Sequence, residues 1–161
     1  DNNTEDDTGV SAGHERGIID SNIYNDGTGA SVLTGGRRFS DSCSTDIFIH
    51  MDGQEVFKFA VKSVPTAIET LLHNNNMDVN DVDKFILHQA NVRIIESVAK
   101  RLKADKDKFP VNLNEYGNTS SASIPILLDE LNRNGSLKQG EKLVLAGFGA
   151  GLSWGSILLV W

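Results

Sequence analysis

Apolar positions along this chain fall into stretches of two different periods. Val56, Phe59, Ala60, Val64, Ala67, Ile68, Leu71 and Leu72 recur at the ~3.6-residue spacing of a helix with one buried face. Asp52 precedes Glu55 at capping-box spacing, so this helix opens there, and Asn74-Asn75-Asn76 ends it. Pro65 removes one internal hydrogen bond and predicts a kink near Val61. Residues 82–88 read as a buried strand. A second helix is predicted over 91–103, with Ile94, Ile95, Val98, Ala99 and Leu102 on one arc and Arg93, Ser97 and Lys100 on the opposite crest. A third runs over 120–134, where Gly135 supplies a left-handed stop. Further strands are predicted at 17–24, closed by the Asn25-Asp26-Gly27 turn, around 30–33, at 109–113, at 143–147 and at 156–160. The last two flank a Gly-rich turn and should pair antiparallel.

Strands alternating with helices predict an α/β fold, a mixed, mostly parallel sheet of about five strands covered by helices. The 161 residues suit a single domain, with 1–16 an acidic loop or disordered end. A share of 39% hydrophobic and 23% charged residues is that of an ordinary globular chain. No apolar run approaches the ~20 residues of a membrane span and no signal-peptide pattern opens the chain, which makes a cytoplasmic location the expectation. The first residue is Asp1 and not Met, so the start reads as a processing or proteolytic boundary.

A formal net charge of -7 argues against nucleic acid as the main partner. Cys43 is the one cysteine, which excludes an intrachain disulfide and a multi-cysteine metal site. His14, His50, His73 and His88 stand far apart, and no metal is expected. Cations nonetheless gather locally: Arg93, Lys100, Arg101, Lys103, Lys106 and Lys108 against Glu96, Asp105 and Asp107. A solvated helix face explains any one of them, whereas the cluster suits an acidic partner.

Candidate chemistry centres on His88, where a buried strand delivers an imidazole to its carboxyl end, the usual place for ligands in open α/β sheets. A histidine there is often only a core residue, but Gln89, Asn91 and Arg93 crowd the same strand-to-helix turn. Asn118 lies in the polar cluster Tyr116-Gly117-Asn118-Thr119-Ser120. By itself it is a turn residue; together with His88 it offers two donors for one carbonyl oxygen. Donors aimed at a developing oxyanion are worth about 2.7–4 kcal/mol each. Residues 147–151 (Gly147-Phe148-Gly149-Ala150-Gly151) are either a plain hairpin turn or a place where backbone N–H groups approach a ligand, and spacing leaves both open. Cys43, between Asp41 and Asp46, lacks the cationic surroundings of a reactive thiolate and reads as a passive loop cysteine.

Four segments together carry a family resemblance: Met51-Asp52-Gly53-Gln54-Glu55-Val56-Phe57-Lys58-Phe59-Ala60, His88-Gln89-Ala90-Asn91-Val92-Arg93-Ile94, Gly117-Asn118-Thr119-Ser120-Ser121-Ala122-Ser123-Ile124-Pro125, and Gly147-Phe148-Gly149-Ala150-Gly151-Leu152-Ser153-Trp154-Gly155. In order and spacing they resemble the C-terminal half of β-ketoacyl-acyl carrier protein synthase III, an acyltransferase of the thiolase-like superfamily that starts type II fatty acid synthesis. The resemblance implies a thiolase-like half and decarboxylative condensation of an acyl-coenzyme A primer with malonyl-acyl carrier protein, with no cofactor beyond these substrates. It implies that His88 and Asn118 hold the malonyl thioester carbonyl and that the backbone N–H of Ala150 serves the oxyanion hole. It further implies that Arg93, Lys58, Lys100 and Arg101 dock the carrier protein, and that Gly53, Phe57, Ala90 and Asn91 line the pantetheine entrance. The implied partners are acyl carrier protein, coenzyme A thioesters, a missing N-terminal half and a second copy in a homodimer. In this family the nucleophilic cysteine belongs to the N-terminal half, and Cys43 does not match its motif, so this chain alone is expected to be inactive. A non-catalytic carrier-protein-binding fragment, and a relative serving polyketide or other secondary metabolism, are the alternatives.

Overall fold

The computed structural model describes residues 16–35 and 49–161. In chain order the elements are β1 (Gly17–Asn25), β2 (Leu33–Gly35), β3 (Ile49–Met51), α1 (Gly53–Asn74), β4 (Lys84–Leu87), α2 (Val92–Leu102), α3 (Leu113–Tyr116), α4 (Ser123–Arg133), β5 (Lys142–Gly149) and β6 (Ser153–Val160), with short 3₁₀ turns between several of them. The cap expected at α1 forms by half: the Asp52 carboxylate accepts hydrogen bonds from the N–H groups of Gln54 and Glu55, but the Asp52 N–H donates to Val32 O and the Glu55 carboxylate pairs with Lys58 in place of closing a capping box. The helix passes through the buried Pro65 without interruption. At α2, Asn91 is the cap, accepting from the Arg93 N–H at 2.9 Å, and Lys103 ends the helix in the left-handed region.

The main sheet is mixed, as expected, with order β1-β6-β5-β4, and β2 and β3 form a separate two-stranded ribbon. The expectation of a mostly parallel sheet of about five strands needs correction. The sheet has four strands, and of its pairings only β4 with β5 is parallel. The tight turn between β5 and β6 forces those two to run antiparallel, and β1 lies antiparallel on β6.

The strand expected at 109–113 does not form. Pro110 lacks a ladder donor, the Phe109 ring is buried and stacks on Phe85 at 4.7 Å, and the Asn112 N–H donates to the Gln89 side-chain oxygen. The Phe109 N–H turns back to Lys106 O, so neither of these two donors is spent on a neighbouring strand. The third helix also starts later than expected. Ser120 sits at φ 55, in the left-handed region that an α-helix does not use; 120–122 form a 3₁₀ turn, and α4 begins at Ser123.

Alternation along the strands builds a core on each side of the sheet. Phe85, Leu87, Val144, Ala146 and Leu158 face α1 and α2, joining Ile68, Leu71, Ile95 and Val98. Ile86 and Leu143 face the other way, onto Leu127, Leu131 and Leu137. Asn22 fastens the first strand into this frame: its Nδ2 donates to Ala67 O on α1, and its Oδ1 accepts from both the N–H and the hydroxyl of Ser156. One step along, opposite Ile23, a Cβ added to Gly155 would collide with the Asn22 carbonyl oxygen, so only glycine admits this close strand contact.

Candidate functional site

Because β4 and β5 run parallel, their carboxyl ends emerge on the same side of the sheet. The His88 N–H donates to Ala146 O at 2.9 Å, extending the ladder one step and setting the imidazole beside the 147–150 stretch. The loop before α4 comes to the same end. Gly117, at φ 66 and ψ -158, adopts a backbone that other residues avoid. Asn118 then accepts the Ser120 N–H on Oδ1 at 2.9 Å, which fixes its carboxamide plane and leaves Nδ2 as the donor it can present.

These loops enclose a cleft of about 600 Å³. His88 and Asn118 both line it, as do Ala90, Ser123 and Ala150, while Leu33, Ile49, Met51, Ile124 and Phe148 give it apolar walls. The β2–β3 ribbon is thus one wall of the cavity, a role the sequence pattern did not signal. His88 is half-buried; its Nδ1 lies 2.6 Å from the Ser123 hydroxyl, and the Phe148 ring meets it edge-on at 5.3 Å. The remaining ring nitrogen, Nε2, is the one available to the cleft. Burial pushes the imidazole below its ordinary value, so the neutral ring dominates near neutrality.

Gln89, which sequence reasoning grouped with the polar side chains of this turn, is fully buried and structural. Its Nε2 donates to Leu87 O and its Oε1 accepts the Asn112 N–H. Among the described residues no group of three or more His, Cys, Asp or Glu side chains gathers as metal ligands would. Cys43 lies outside the described residues.

A family model described as the 3-oxoacyl-[acyl-carrier-protein] synthase III C terminal matches residues 72–161. The chain belongs to this family. The β-ketoacyl-[acyl-carrier-protein] synthase III of Clostridium acetobutylicum is 44% identical over 158 residues, covering 94% of this chain and 49% of that protein. A 3-oxoacyl-[acyl-carrier-protein] synthase III structure from Aquifex aeolicus superposes with a TM-score of 0.81 at 38% identity, over 89% of this chain and 44% of that one. A priming β-ketosynthase from the R1128 polyketide pathway superposes at 0.80 with 35% identity, over 89% of this chain and 45% of its own. The chain spans about half the length of the curated relatives it matches, and the thiolase-like half expected from its motifs is the fold it has.

Within this synthase III C-terminal unit, the remaining predicted residues separate by place. Ala90 lines the cleft, whereas Gly53, Phe57 and Asn91 are not among the cleft-lining residues, and the Asn91 carboxamide oxygen is committed to capping α2. Arg93 lies over the Phe57 ring at 5.7 Å, a cation–π contact joining the starts of α1 and α2. Lys58 is exposed and paired with Glu55 at 2.7 Å; that hydrogen bond holds the ammonium above its ordinary value. Lys100 and Arg101 stand exposed in the last turn of α2. All four docking candidates are exposed, on α2 and the first turns of α1, and none of them lines the cleft. Two participants were missed from the sequence: Ser123, which holds His88, and Phe148, which packs on it. Both lay inside recognised motifs, but contact across the sheet leaves no local periodic signal.

Proposed function

We propose that this chain forms the malonyl-thioester side of a β-ketoacyl-acyl carrier protein synthase III, an enzyme that condenses an acyl-coenzyme A primer with malonyl-acyl carrier protein. The observation that carries this reading is the convergence of His88 and Asn118 on one cleft at the carboxyl ends of parallel strands. The chemistry follows from the donors. Nε2 of a neutral His88 and Nδ2 of Asn118 hydrogen-bond the malonyl thioester oxygen. The terminal C–C bond then breaks, carbon dioxide leaves, and the electron pair is stored as an enolate whose oxyanion these donors stabilise. Attack of that carbon on an acyl-cysteine expels the thiolate and gives the β-ketoacyl product. The acyl-cysteine belongs to a partner half supplying the nucleophile, and the Ala150 N–H is assigned to its oxyanion hole. The reading needs no cofactor beyond the two substrates, places Arg93, Lys58, Lys100 and Arg101 at the acyl carrier protein, sets Gly53, Phe57, Ala90 and Asn91 along the pantetheine path, and implies a cytoplasmic homodimer of the whole enzyme.

Titrating the ¹⁵N-labelled chain with malonyl-coenzyme A tests the convergence. The Asn118 side-chain amide and the His88 ring should shift together along one binding curve, and His88→Ala and Asn118→Ala should each weaken binding about tenfold, a loss of ~1.4 kcal/mol. Shifts confined to one of the two residues would refute a shared oxygen site. Supplying a cysteine-bearing half in trans separates the enzyme from a binding fragment: recovered condensation supports the enzyme part, whereas carrier-protein binding without turnover supports the fragment. The polyketide-priming alternative is favoured by the similarity to the R1128 ketosynthase. Primer preference of the reconstituted enzyme, acetyl against longer acyl groups, decides between them.

A further inference from the structure

Ser123 is the first residue of α4, one position past the N-cap, Ala122. Its side chain is buried at 2% exposure and turned to β4. The hydroxyl oxygen accepts the Gln89 N–H at 3.2 Å and lies 2.6 Å from Nδ1 of His88. A backbone N–H only donates, so that contact consumes one lone pair of the oxygen and leaves the hydroxyl proton to be placed.

Two arrangements are compatible with the short contact to Nδ1. In one, Ser123 O–H donates to a bare Nδ1, and every polar group in the triad is satisfied. In the other, Nδ1–H donates to the oxygen, and the serine proton needs a further acceptor, which no hydrogen bond of Ser123 among the described residues supplies. Leaving a buried donor unmatched costs about 1–3 kcal/mol, so the first arrangement wins. Phe148, packed edge-to-face against the ring at 5.3 Å, restricts its rotation.

We propose that Ser123 is a positioning residue that locks His88 as the Nε2–H tautomer, so that the ring offers the cleft a donor and never a lone pair. The purpose rests on the thioester reading given above: beside the Asn118 amide, a donor at Nε2 attracts a developing oxyanion, and a bare nitrogen there would repel it. The tautomer itself rests only on the hydrogen bonds.

Long-range ¹H–¹⁵N spectra of the ligand-free, histidine-labelled chain, recorded above the titration of His88, read the tautomer directly. The wild-type chain should show a single Nε2–H form. Ser123→Ala, by removing the donor that stabilises the neutral ring, should admit the Nδ1–H form and raise the midpoint of the His88 titration. Ser123→Thr keeps the hydroxyl and should restore both. A wild-type His88 protonated on Nδ1, or a folded Ser123→Ala with unchanged nitrogen shifts and midpoint, overturns the proposal. The wild-type spectrum alone decides it if Ser123→Ala does not fold. Failure of malonyl-coenzyme A to bind would remove the thioester reading and leave the tautomer assignment intact.

Discussion

His88 and Gln89 are adjacent in sequence and opposite in role. Gln89 is sealed with both ends of its amide bonded, whereas His88 keeps one nitrogen toward a cleft. The pH behaviour of the chain should record this. Since burial lowers the His88 pKa in the folded state, the unfolded chain binds the proton first as pH falls. The penalty is absent above the ordinary value of about 6.5. It grows as pH drops from there toward the folded-state pKa. Urea unfolding at several pH values should therefore show a loss of stability below that point, and His88→Phe should flatten it; an identical pH slope in the variant would refute a buried neutral imidazole. At this scale the sequence was informative where a polar residue broke an apolar pattern, which is how His88 was found, and Asn118 stood out from a polar cluster only in its company. It was silent about Ser123, whose partner lies 35 positions away.

Among the elements, those that depend on their own residues were legible. The arc of α1 with its Asp52 cap, the arc of α2, and the β5–β6 hairpin all came out of local periodicity and turn chemistry. The stretch 109–113 misled because its alternation resembles a strand, while its fate is decided by Phe85 and Gln89 in β4 and the turn after it. Strand order and direction were equally hidden, since β1 finds β6 from the far end of the chain. Gly155 marks that contact. Replacing it with alanine should destabilise the fold by about 1–3 kcal/mol, as overpacking does. Gly149→Ala, where an added Cβ meets nothing within 4 Å, should cost less. Thermal melts of the two variants compare them; equal losses would mean that the strand contact has slack.

On the scale of the molecule, charge and chemistry are placed apart. The chain carries a net charge of -7, yet Arg93, Lys100 and Arg101 form a local cationic surface along α2. Under the proposed function, Arg93→Glu should weaken carrier-protein binding most at low salt and leave coenzyme A thioester binding unchanged. Equal affinity of both proteins across a salt series would detach Arg93 from docking. Cys43 stands between Asp41 and Asp46, and incubation with acetyl-coenzyme A should leave it unmodified by intact-mass measurement; stoichiometric acetylation would make it the nucleophile.

The pairing of β1 with β6 joins Gly17 to Val160. A ribosome that adds roughly 5–20 residues per second releases β1 long before β6, its sheet neighbour among the described residues, exists. Through that interval the Ile18 and Ile23 side chains, still 69% and 78% exposed in the finished fold, travel on an unpaired ribbon. β1 thus leaves the ribosome well before the strand that shelters it, and its apolar side chains stay open until β6 has been made.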